Sequence, residues 1–275
     1  MTTPLPALPP HHAVDFARDG IICLRQMFDA GWVRKLRDLA DDMLNADERH
    51  PQQSQELARD CDAGRFFNEM FIWPRHQGFK HVVFNSPAAA IAGMVMNAGR
   101  INVLFDQLLI KEPGTMEPTP WHHDLPFWPF QGAKICTLWI SLDEVTAESG
   151  AVEYVKGSHR WGKRFQPTSF VGDGRYQQDD LEPLPDLDAM RADLQIAQFH
   201  MQPGDCTVHH GLTVHTAPGN TRADRSRRAY VTRWGGDGVT YVPRRGTQPM
   251  LRDPGLEAGD PVECDLWPVV WKRAS

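Results

Sequence analysis

The pattern of apolar and polar positions changes about a third of the way along the chain. Before residue 99 it favours helices. Asp29 is suited to cap a helix that continues to about residue 45, and the alanine-rich segment 87–97 predicts a second helix. The apolar face of the first helix repeats at helical spacing and consists of Trp32, Leu36, Leu39, Met43 and Leu44.

Short strands dominate the rest of the pattern. A turn at Asp19-Gly20 precedes a compact apolar run at 21–24, which predicts a first strand. After residue 99, β-prone runs separated by Gly, Pro and Asp turns occur at 101–110, 134–142, 151–155, 206–209 and 228–234. Several short strands of this kind are typical of a β sandwich or barrel.

These elements predict one domain over residues 1–275. We expect a flexible N-terminus at 1–12, a helix-rich buttress at 13–99, a β core at 100–240 and a C-terminal segment at 241–275. A polar, Asp- and Pro-rich insertion at 167–193 is too long for a hairpin and is a candidate lid.

Composition narrows the class of protein. With 29 basic and 35 acidic residues the net charge is −6, which disfavours binding to nucleic acid or anionic lipid. The longest apolar stretch, 87–96, is far shorter than the roughly 20 residues that span a bilayer, and the N-terminus does not resemble a secretory leader, so we expect a cytoplasmic protein. The five cysteines contain no Cys-x-x-Cys spacing and predict neither disulfides nor a thiolate zinc site.

A histidine and a carboxylate stand two residues apart, at His122 and Asp124. Side chains alternate along an extended segment, so these two point to one face while His123 points to the other. The pair suits two adjacent ligand positions of a divalent metal. It also fits a hydrogen-bonded His/Asp pair at the end of a strand.

A third ligand is available at His215, which follows Asp124 by 91 residues, a separation that lets a later strand return beside an earlier one. Two histidines and one carboxylate form the facial triad of non-haem Fe(II) oxygenases. The same residues could serve a zinc-binding or non-catalytic β sandwich, and this alternative stays open.

Arginines follow the third histidine. Arg227 and Arg228 lie where a strand resumes, so they point to opposite faces, and one of them can enter the barrel to bind a carboxylate bidentately. The sequence leaves Arg228 as a rival to Arg227. A solvated basic run at a strand entrance is the other interpretation, and we prefer it for Arg222, Arg225 and Arg228.

Several ordered blocks between residues 105 and 237 resemble one family, with a weaker echo at Asp19-Gly20. The blocks are Trp121-His122-His123-Asp124, Trp139-Ile140-Ser141-Leu142-Asp143, Glu148-Ser149-Gly150, Gly157-Ser158-His159, Pro203-Gly204-Asp205, His215, Asn220 and Arg227-Arg228-Ala229. In these blocks the chain resembles the phytanoyl-CoA dioxygenase-like group of Fe(II)- and 2-oxoglutarate-dependent oxygenases.

The resemblance implies a mainly β fold, with a double-stranded β-helix core of jelly-roll or cupin-like type buttressed by N-terminal helices. It implies Fe(II), 2-oxoglutarate as co-substrate, and O2. The implied reaction hydroxylates an unactivated C–H bond of a small organic molecule and releases succinate and CO2. It names no particular substrate and no oligomeric state.

The resemblance also assigns residues. It places the iron ligands on His122, Asp124 and His215, and the arginine that binds 2-oxoglutarate on Arg227. Because halogenating relatives carry Gly or Ala at the position of Asp124, the carboxylate favours hydroxylation.

Two further positions follow from the resemblance. Gln107 occupies a position from which relatives contact the co-substrate, and Trp139 matches an aromatic that walls the co-substrate pocket. Plain packing on a β strand is the alternative for both. A hydroxyl common in relatives two residues after the distal histidine is replaced here by Ala217.

The remaining candidates lie near these blocks. Four aromatics surround the first ligand pair and suit either a dry cavity mouth or a sandwich core, namely Trp121, Phe127, Trp128 and Phe130. Further pocket candidates are His209, His210, Arg233 and Trp234. No phosphate-binding loop, nucleophile elbow or dinucleotide-binding glycine pattern is present.

Overall fold

The computed structural model describes residues 8–58, 62–169 and 174–274. Four α-helices occur in these ranges, all in the first third of the chain. They are α1 (His11–Asp19), α2 (Ala30–Leu44), α3 (Gln77–Asn85) and α4 (Ala88–Val95). The Asp29 side chain accepts hydrogen bonds from the backbone N–H groups of Gly31 (2.8 Å) and Trp32 (3.0 Å), which fixes the start of α2 and is worth about 1 kcal/mol.

The described part of the chain contains fourteen strands. In order they are β1 (Ile21–Leu24), β2 (Ser54–Glu56), β3 (Phe66–Met70), β4 (Arg100–Lys111), β5 (Thr119–His122), β6 (Phe130–Gln131), β7 (Ile135–Ser141), β8 (Glu153–Val155), β9 (Ile196–Gln198), β10 (Cys206–His210), β11 (His215–Ala217), β12 (Arg227–Gly235), β13 (Thr240–Tyr241) and β14 (Val269–Lys272). Short 3₁₀ helices lie at Leu125–Phe127, Ser158–Arg160 and Arg191–Asp193.

Two antiparallel sheets form the core. The major sheet has the strand order β1-β10-β7-β12-β4-β3-β2, with β14 paired to β4, and the minor sheet has the order β5-β11-β8-β9. Side chains of both sheets line one cavity between them. This arrangement is a jelly roll, or double-stranded β-helix, so the predicted fold class is confirmed.

Alternation along the strands separates the two faces of the major sheet. On β12, Tyr230 and Trp234 pack outward into a hydrophobic cluster that includes residues of all four helices, whereas Arg227 and Val231 face the cavity. The helices therefore cover the outer face of the major sheet, as the predicted buttress requires. Burial of this outer face removes apolar surface from water and so favours folding.

The structure adds elements that the sequence pattern does not predict. β2 and β3 lie in the first third, where only the strand at 21–24 is expected besides helices, and α3 precedes the predicted helix at 87–97. All five residues of β3 are buried, so it shows no alternation, and β2 is polar because it lies at the sheet edge. The predicted flexible N-terminus is too long, since α1 begins at His11.

Two predicted segments lie only partly within the description. In the insertion at 167–193 the described residues form turns and one 3₁₀ helix, and residues 170–173 lie outside the described ranges. The C-terminal segment returns to the core, because β14 pairs with β4.

Cys61 lies outside the described residues, and the other four cysteines are free thiols. Among the described helices, none combines the length and apolar character that a membrane crossing requires.

The turn before β10 requires a glycine at position 204. Its φ is +93°, and a Cβ there would lie 2.3 Å from the Phe28 carbonyl oxygen. We expect Gly204→Ala to lower the free energy of unfolding by about 3 kcal/mol, measured by urea denaturation. Gly238→Ala is the matched control, since φ is +76° with nothing within 4 Å, and it should cost about 1 kcal/mol. Equal losses in both variants would contradict the steric explanation.

Candidate metal centre

Two histidines meet across neighbouring strands of the minor sheet. β11 pairs antiparallel with β5, and the register places His215 directly opposite His122. Their ring centroids lie 4.2 Å apart, and both side chains are buried at the floor of the cavity. Strand pairing therefore brings together two residues that are 93 positions apart in the chain.

Asp124 joins them by a turn and not by strand alternation. β5 ends at His122, and Asp124 adopts helical backbone angles (φ −69°, ψ −43°) at the start of the 3₁₀ helix Leu125–Phe127. The expected convergence occurs, but its predicted cause was wrong. His123 lies apart from the cluster and its Nε2 accepts a hydrogen bond from the Phe165 N–H at 2.9 Å.

The ligand atoms of the three side chains lie within 4.8 Å of one another, so the group could hold a metal ion. Asp124 Oδ1 is 3.7 Å from His122 Nε2 and 3.9 Å from His215 Nε2. The structure thus brings together all three residues that the sequence singles out as a metal site.

Backbone carbonyls set the tautomer of both imidazoles. His122 Nδ1 lies 2.8 Å from the Pro120 carbonyl and His215 Nδ1 lies 2.9 Å from the Thr213 carbonyl. Because a carbonyl only accepts, each Nδ1 carries the proton and each Nε2 presents its lone pair to the cluster. Burial lowers the pKa of His122 to about 3 and that of His215 to about 4, so both are neutral ligands at pH 7.

The second oxygen of Asp124 is held by the major sheet. Thr137 Oγ1 donates to Asp124 Oδ2 at 2.6 Å, and His209 Nε2 lies 3.2 Å from the same oxygen. Burial opposes the charge on Asp124, but the His209 hydrogen bond and the nearby charge of Arg233 outweigh it and hold its pKa well below the usual value. The carboxylate is therefore ionised, with Oδ1 left to face the two imidazoles.

The cluster opens into a cavity with about 1010 Å³ of empty volume, part of it open to solvent. Apolar and aromatic side chains dominate the region around the cluster, including Phe127, Trp128 and Tyr154. Ser169, Arg175 and Tyr176 of the insertion also line the cavity. The insertion thus contributes directly to this site, and its role as a lid stays a prediction.

Arg227 lies on the cavity side of β12. Its side chain is 2% exposed, its guanidinium carbon lies 5.5 Å from the centre of the Trp139 ring, and its Nε has no hydrogen-bond partner among the described residues. Burial lowers its pKa to about 10, so it is charged at pH 7. A buried cation without a carboxylate partner is costly, which indicates a site built for an anion.

Arg228 points the other way. Its guanidinium forms ion pairs with Asp143 (2.8 Å) and Asp41 (2.7 Å) on the outer side of the sheet. The two arginines therefore lie on opposite faces, as strand parity predicts, and only Arg227 reaches the cavity.

Gln107 and Trp139 also line the cavity, and both lie beside Val231 in the register of the major sheet. Gln107 is engaged at both ends of its amide. Its Nε2 donates to Asn68 Oδ1 at 2.6 Å, and its Oε1 accepts from Arg233 Nη2. Trp139 forms a wall against Arg227.

Of the other candidate residues from the sequence, four line the cavity and four do not. Phe127, Trp128, His209 and Arg233 line the cavity. Trp121, Phe130, His210 and Trp234 do not line it: Phe130 packs on Trp267, and His210 bonds to the Ala133 carbonyl. The sequence analysis did not identify Thr137. The signal was available, because Thr137 and Trp139 are two residues apart on β7 and their side chains therefore lie on the same face of the sheet.

Comparisons with known proteins agree with this geometry. A phytanoyl-CoA dioxygenase domain-containing protein 1 homolog of Caenorhabditis briggsae is 27% identical over 157 residues, which cover 56% of this chain and 52% of that protein. The match thus spans about half the length of that relative.

Two solved structures share the fold. The carbocyclase SnoK from nogalamycin biosynthesis superposes with a TM-score of 0.75 at 24% identity, covering 96% of this chain and 97% of that one. The epimerase SnoN from the same biosynthesis, in complex with Fe3+, alpha ketoglutarate and nogalamycin RO, gives 0.74 at 22%, covering 95% and 98%.

The fold and the site define a class: double-stranded β-helix proteins with a buried cluster of two histidines and one carboxylate on the floor of a cavity. The phytanoyl-CoA dioxygenase (PhyH) family model matches residues 16–229. The chain belongs to this family.

The hydrogen bond from the Thr137 hydroxyl should orient Asp124 for metal binding. We expect Thr137→Val to weaken Mn(II) binding by about 10-fold to 100-fold, measured by isothermal titration calorimetry, because Asp124 loses its 2.6 Å donor. Thr232→Val is the control, since the buried Thr232 hydroxyl accepts a hydrogen bond from Trp234 Nε1 at 2.8 Å on the outer face of the major sheet. Equal Mn(II) affinity in both variants would show that the Thr137 hydroxyl does not orient Asp124.

Proposed function

We propose that this protein is an Fe(II)- and 2-oxoglutarate-dependent oxygenase that hydroxylates an unactivated C–H bond of a small organic molecule. One observation carries the proposal. The cavity that contains the His122, Asp124 and His215 cluster also contains Arg227, a buried guanidinium that pairs with no carboxylate of the described residues. A tetrahedral zinc site, the alternative, has no use for such a cation.

The donor set fits Fe(II). Two neutral imidazole nitrogens and one ionised carboxylate oxygen form a single face, which leaves further coordination positions for a co-substrate. His122, Asp124 and His215 would hold the metal, and Thr137 and His209 would keep Asp124 oriented towards it.

The far side of the cavity fits 2-oxoglutarate. Arg227 would bind the carboxylate remote from the metal, because a guanidinium recognises a carboxylate through two parallel hydrogen bonds. Trp139 fixes the plane of the guanidinium from one side. The dianion would also compensate the charge that Arg227 carries into the protein interior.

Iron, 2-oxoglutarate and O2 together supply an oxidant able to attack an unactivated C–H bond, with succinate and CO2 as products. The chain's own residues position and shield the reactants. Arg227 orients the co-substrate, which makes the encounter effectively intramolecular. Phe127 and Trp128 exclude water from the region around the cluster.

Hydroxylation is the outcome that Asp124 favours, since a carboxylate ligand occupies the position that halogenating relatives leave open. Membership of the phytanoyl-CoA dioxygenase family supports the same reaction class. The SnoN complex, which contains Fe3+ and alpha ketoglutarate, supports the pairing of metal and co-substrate in this fold.

Turnover of 2-oxoglutarate tests the three residues of the cluster. The protein should convert 2-oxoglutarate to succinate only with Fe(II), and replacement of His122, Asp124 or His215 by alanine should lower the rate at least about 100-fold because a metal ligand is lost. Succinate release measured by chromatography checks this. His200→Ala, at a side chain 60% exposed, is the control and should keep the native rate. Full activity in any one of the three variants would remove that residue from the metal site.

The KM for 2-oxoglutarate distinguishes Arg227 from Arg228. Arg227→Met should raise the KM for 2-oxoglutarate about 30-fold, the equivalent of about 2 kcal/mol for a lost charge-assisted pair. Arg228→Met removes the same charge from the outer face and should leave this KM unchanged. Steady-state kinetics of succinate formation give both values. If the KM rises in the Arg228 variant instead, Arg227 is not the co-substrate anchor.

A further inference from the structure

A second buried guanidinium shares the cavity with Arg227. Arg233 lies six residues further along β12, on the same face, and its side chain lines the cavity although the residue is only 6% exposed. Its Nη2 donates to Gln107 Oε1. Its Nε and Nη1 are buried and have no hydrogen-bond partner among the described residues. Most of its hydrogen-bonding capacity is therefore unused.

Two aromatic rings pack beside the guanidinium of Arg233 and leave its N–H edge for a ligand. Its guanidinium carbon lies 4.7 Å from the centre of the Phe105 ring and 5.9 Å from that of Trp128. The two rings also pack edge-to-face against each other, with centroids 5.4 Å apart, so both lie on one side of the guanidinium. A guanidinium donates hydrogen bonds only in its own plane, and an aromatic ring above that plane accepts none of them. A ligand must therefore meet the N–H groups in the guanidinium plane.

A chain of amides fixes the orientation of this group. Gln107 Nε2 donates to Asn68 Oδ1 at 2.6 Å, and Asn68 Nδ2 donates to Gln55 Oε1 at 3.0 Å. Each amide thus turns its carbonyl towards the arginine, and all three residues line the cavity. Arg233 is held in place from one side, and its remaining donors keep a fixed direction.

The charge balance of the cavity points to an anion. Among the described residues that line it, Asp124 is the single carboxylate, whereas Arg227 and Arg233 are both buried cations. Fe(II) carries two positive charges and the 2-oxoglutarate dianion two negative ones, so the two together leave the net charge of the cavity unchanged. The cavity therefore keeps an excess of positive charge after both have bound, and Arg227 is then already engaged.

We propose that Arg233 binds an oxyanion of the primary substrate, a carboxylate or a phosphate group attached to an apolar body. This inference rests on the proposed function in assigning Arg227 to 2-oxoglutarate. The oxyanion meets Nε and Nη1, and the apolar body lies along Phe127, Tyr176 and Met70 of the same cavity. The substrate class is thus an amphipathic organic acid of small size.

Matched probes test this proposal. Protein loaded with Fe(II) and saturating 2-oxoglutarate under argon is titrated with 3-phenylpropanoate, 2-phenylethylphosphonate and the neutral 3-phenylpropanamide, with calorimetry as the readout. At least one anion should bind about 10-fold more tightly than the amide, and the two anions distinguish carboxylate from phosphate recognition.

Variants on one strand locate the preference. Arg233→Met should bring the anion-to-amide affinity ratio to about one while the affinity for 2-oxoglutarate changes less than about twofold. Arg228→Met removes a cation from the outer face and should keep the native ratio. Arg233→Lys should keep part of the preference, and it provides the test if the Met variant does not fold.

Three results would overturn the proposal. The first is absence of an anion preference in the native protein, whether all probes bind equally or none binds. The second is retention of the full preference by Arg233→Met. The third is weakened 2-oxoglutarate binding in that variant with the probe ratio intact, which would place Arg233 in the co-substrate site. Loss of Fe(II)-dependent succinate formation in native protein that still prefers anions would count against the proposed function alone.

Discussion

The whole site depends on one carboxylate that connects the two sheets. Asp124 turns Oδ1 towards the imidazoles of the minor sheet, while Oδ2 accepts from Thr137 and lies beside His209 of the major sheet. A buried carboxylate is stable only when its oxygens are satisfied, so these donors determine where Asp124 can lie. The geometry of the cluster is thus set by the packing of one sheet against the other, and a shift of either sheet would separate the ligands.

The strand β12 combines two opposed tasks. Its inner face carries Arg227 and Arg233, whose burial costs stability because neither has a carboxylate partner among the described residues. Its outer face carries Tyr230 and Trp234, which pack into the cluster beneath the helices. The helix-covered face thus offsets the cost of a cavity that stays cationic until its ligands arrive.

Sequence reasoning could locate what alternation and local signals determine. It found five strands of the major sheet (β1, β4, β7, β10 and β12), the capped helix after Asp29, the residues of the cluster and the opposite faces of the two arginines. It could not find what depends on register between strands. The row of His209, Thr137 and Arg233 across β10, β7 and β12 exists only in the paired sheet. It also mistook the turn at Asp124 for a strand, since a two-residue spacing fits both.

Proteins that share this fold are described by different reactions. SnoN is described as an epimerase and SnoK as a carbocyclase, although both share this architecture. In the oxygenase proposed here, the outcome would depend on which substrate carbon lies in front of the metal. In this chain Thr137 holds the ligand Asp124 and pairs with Arg233 on the next strand. Under the proposal, an acidic group bound by Arg233 would lie at a fixed separation from the residues of the metal cluster, and the reacting carbon would be determined by its distance from that group along the substrate.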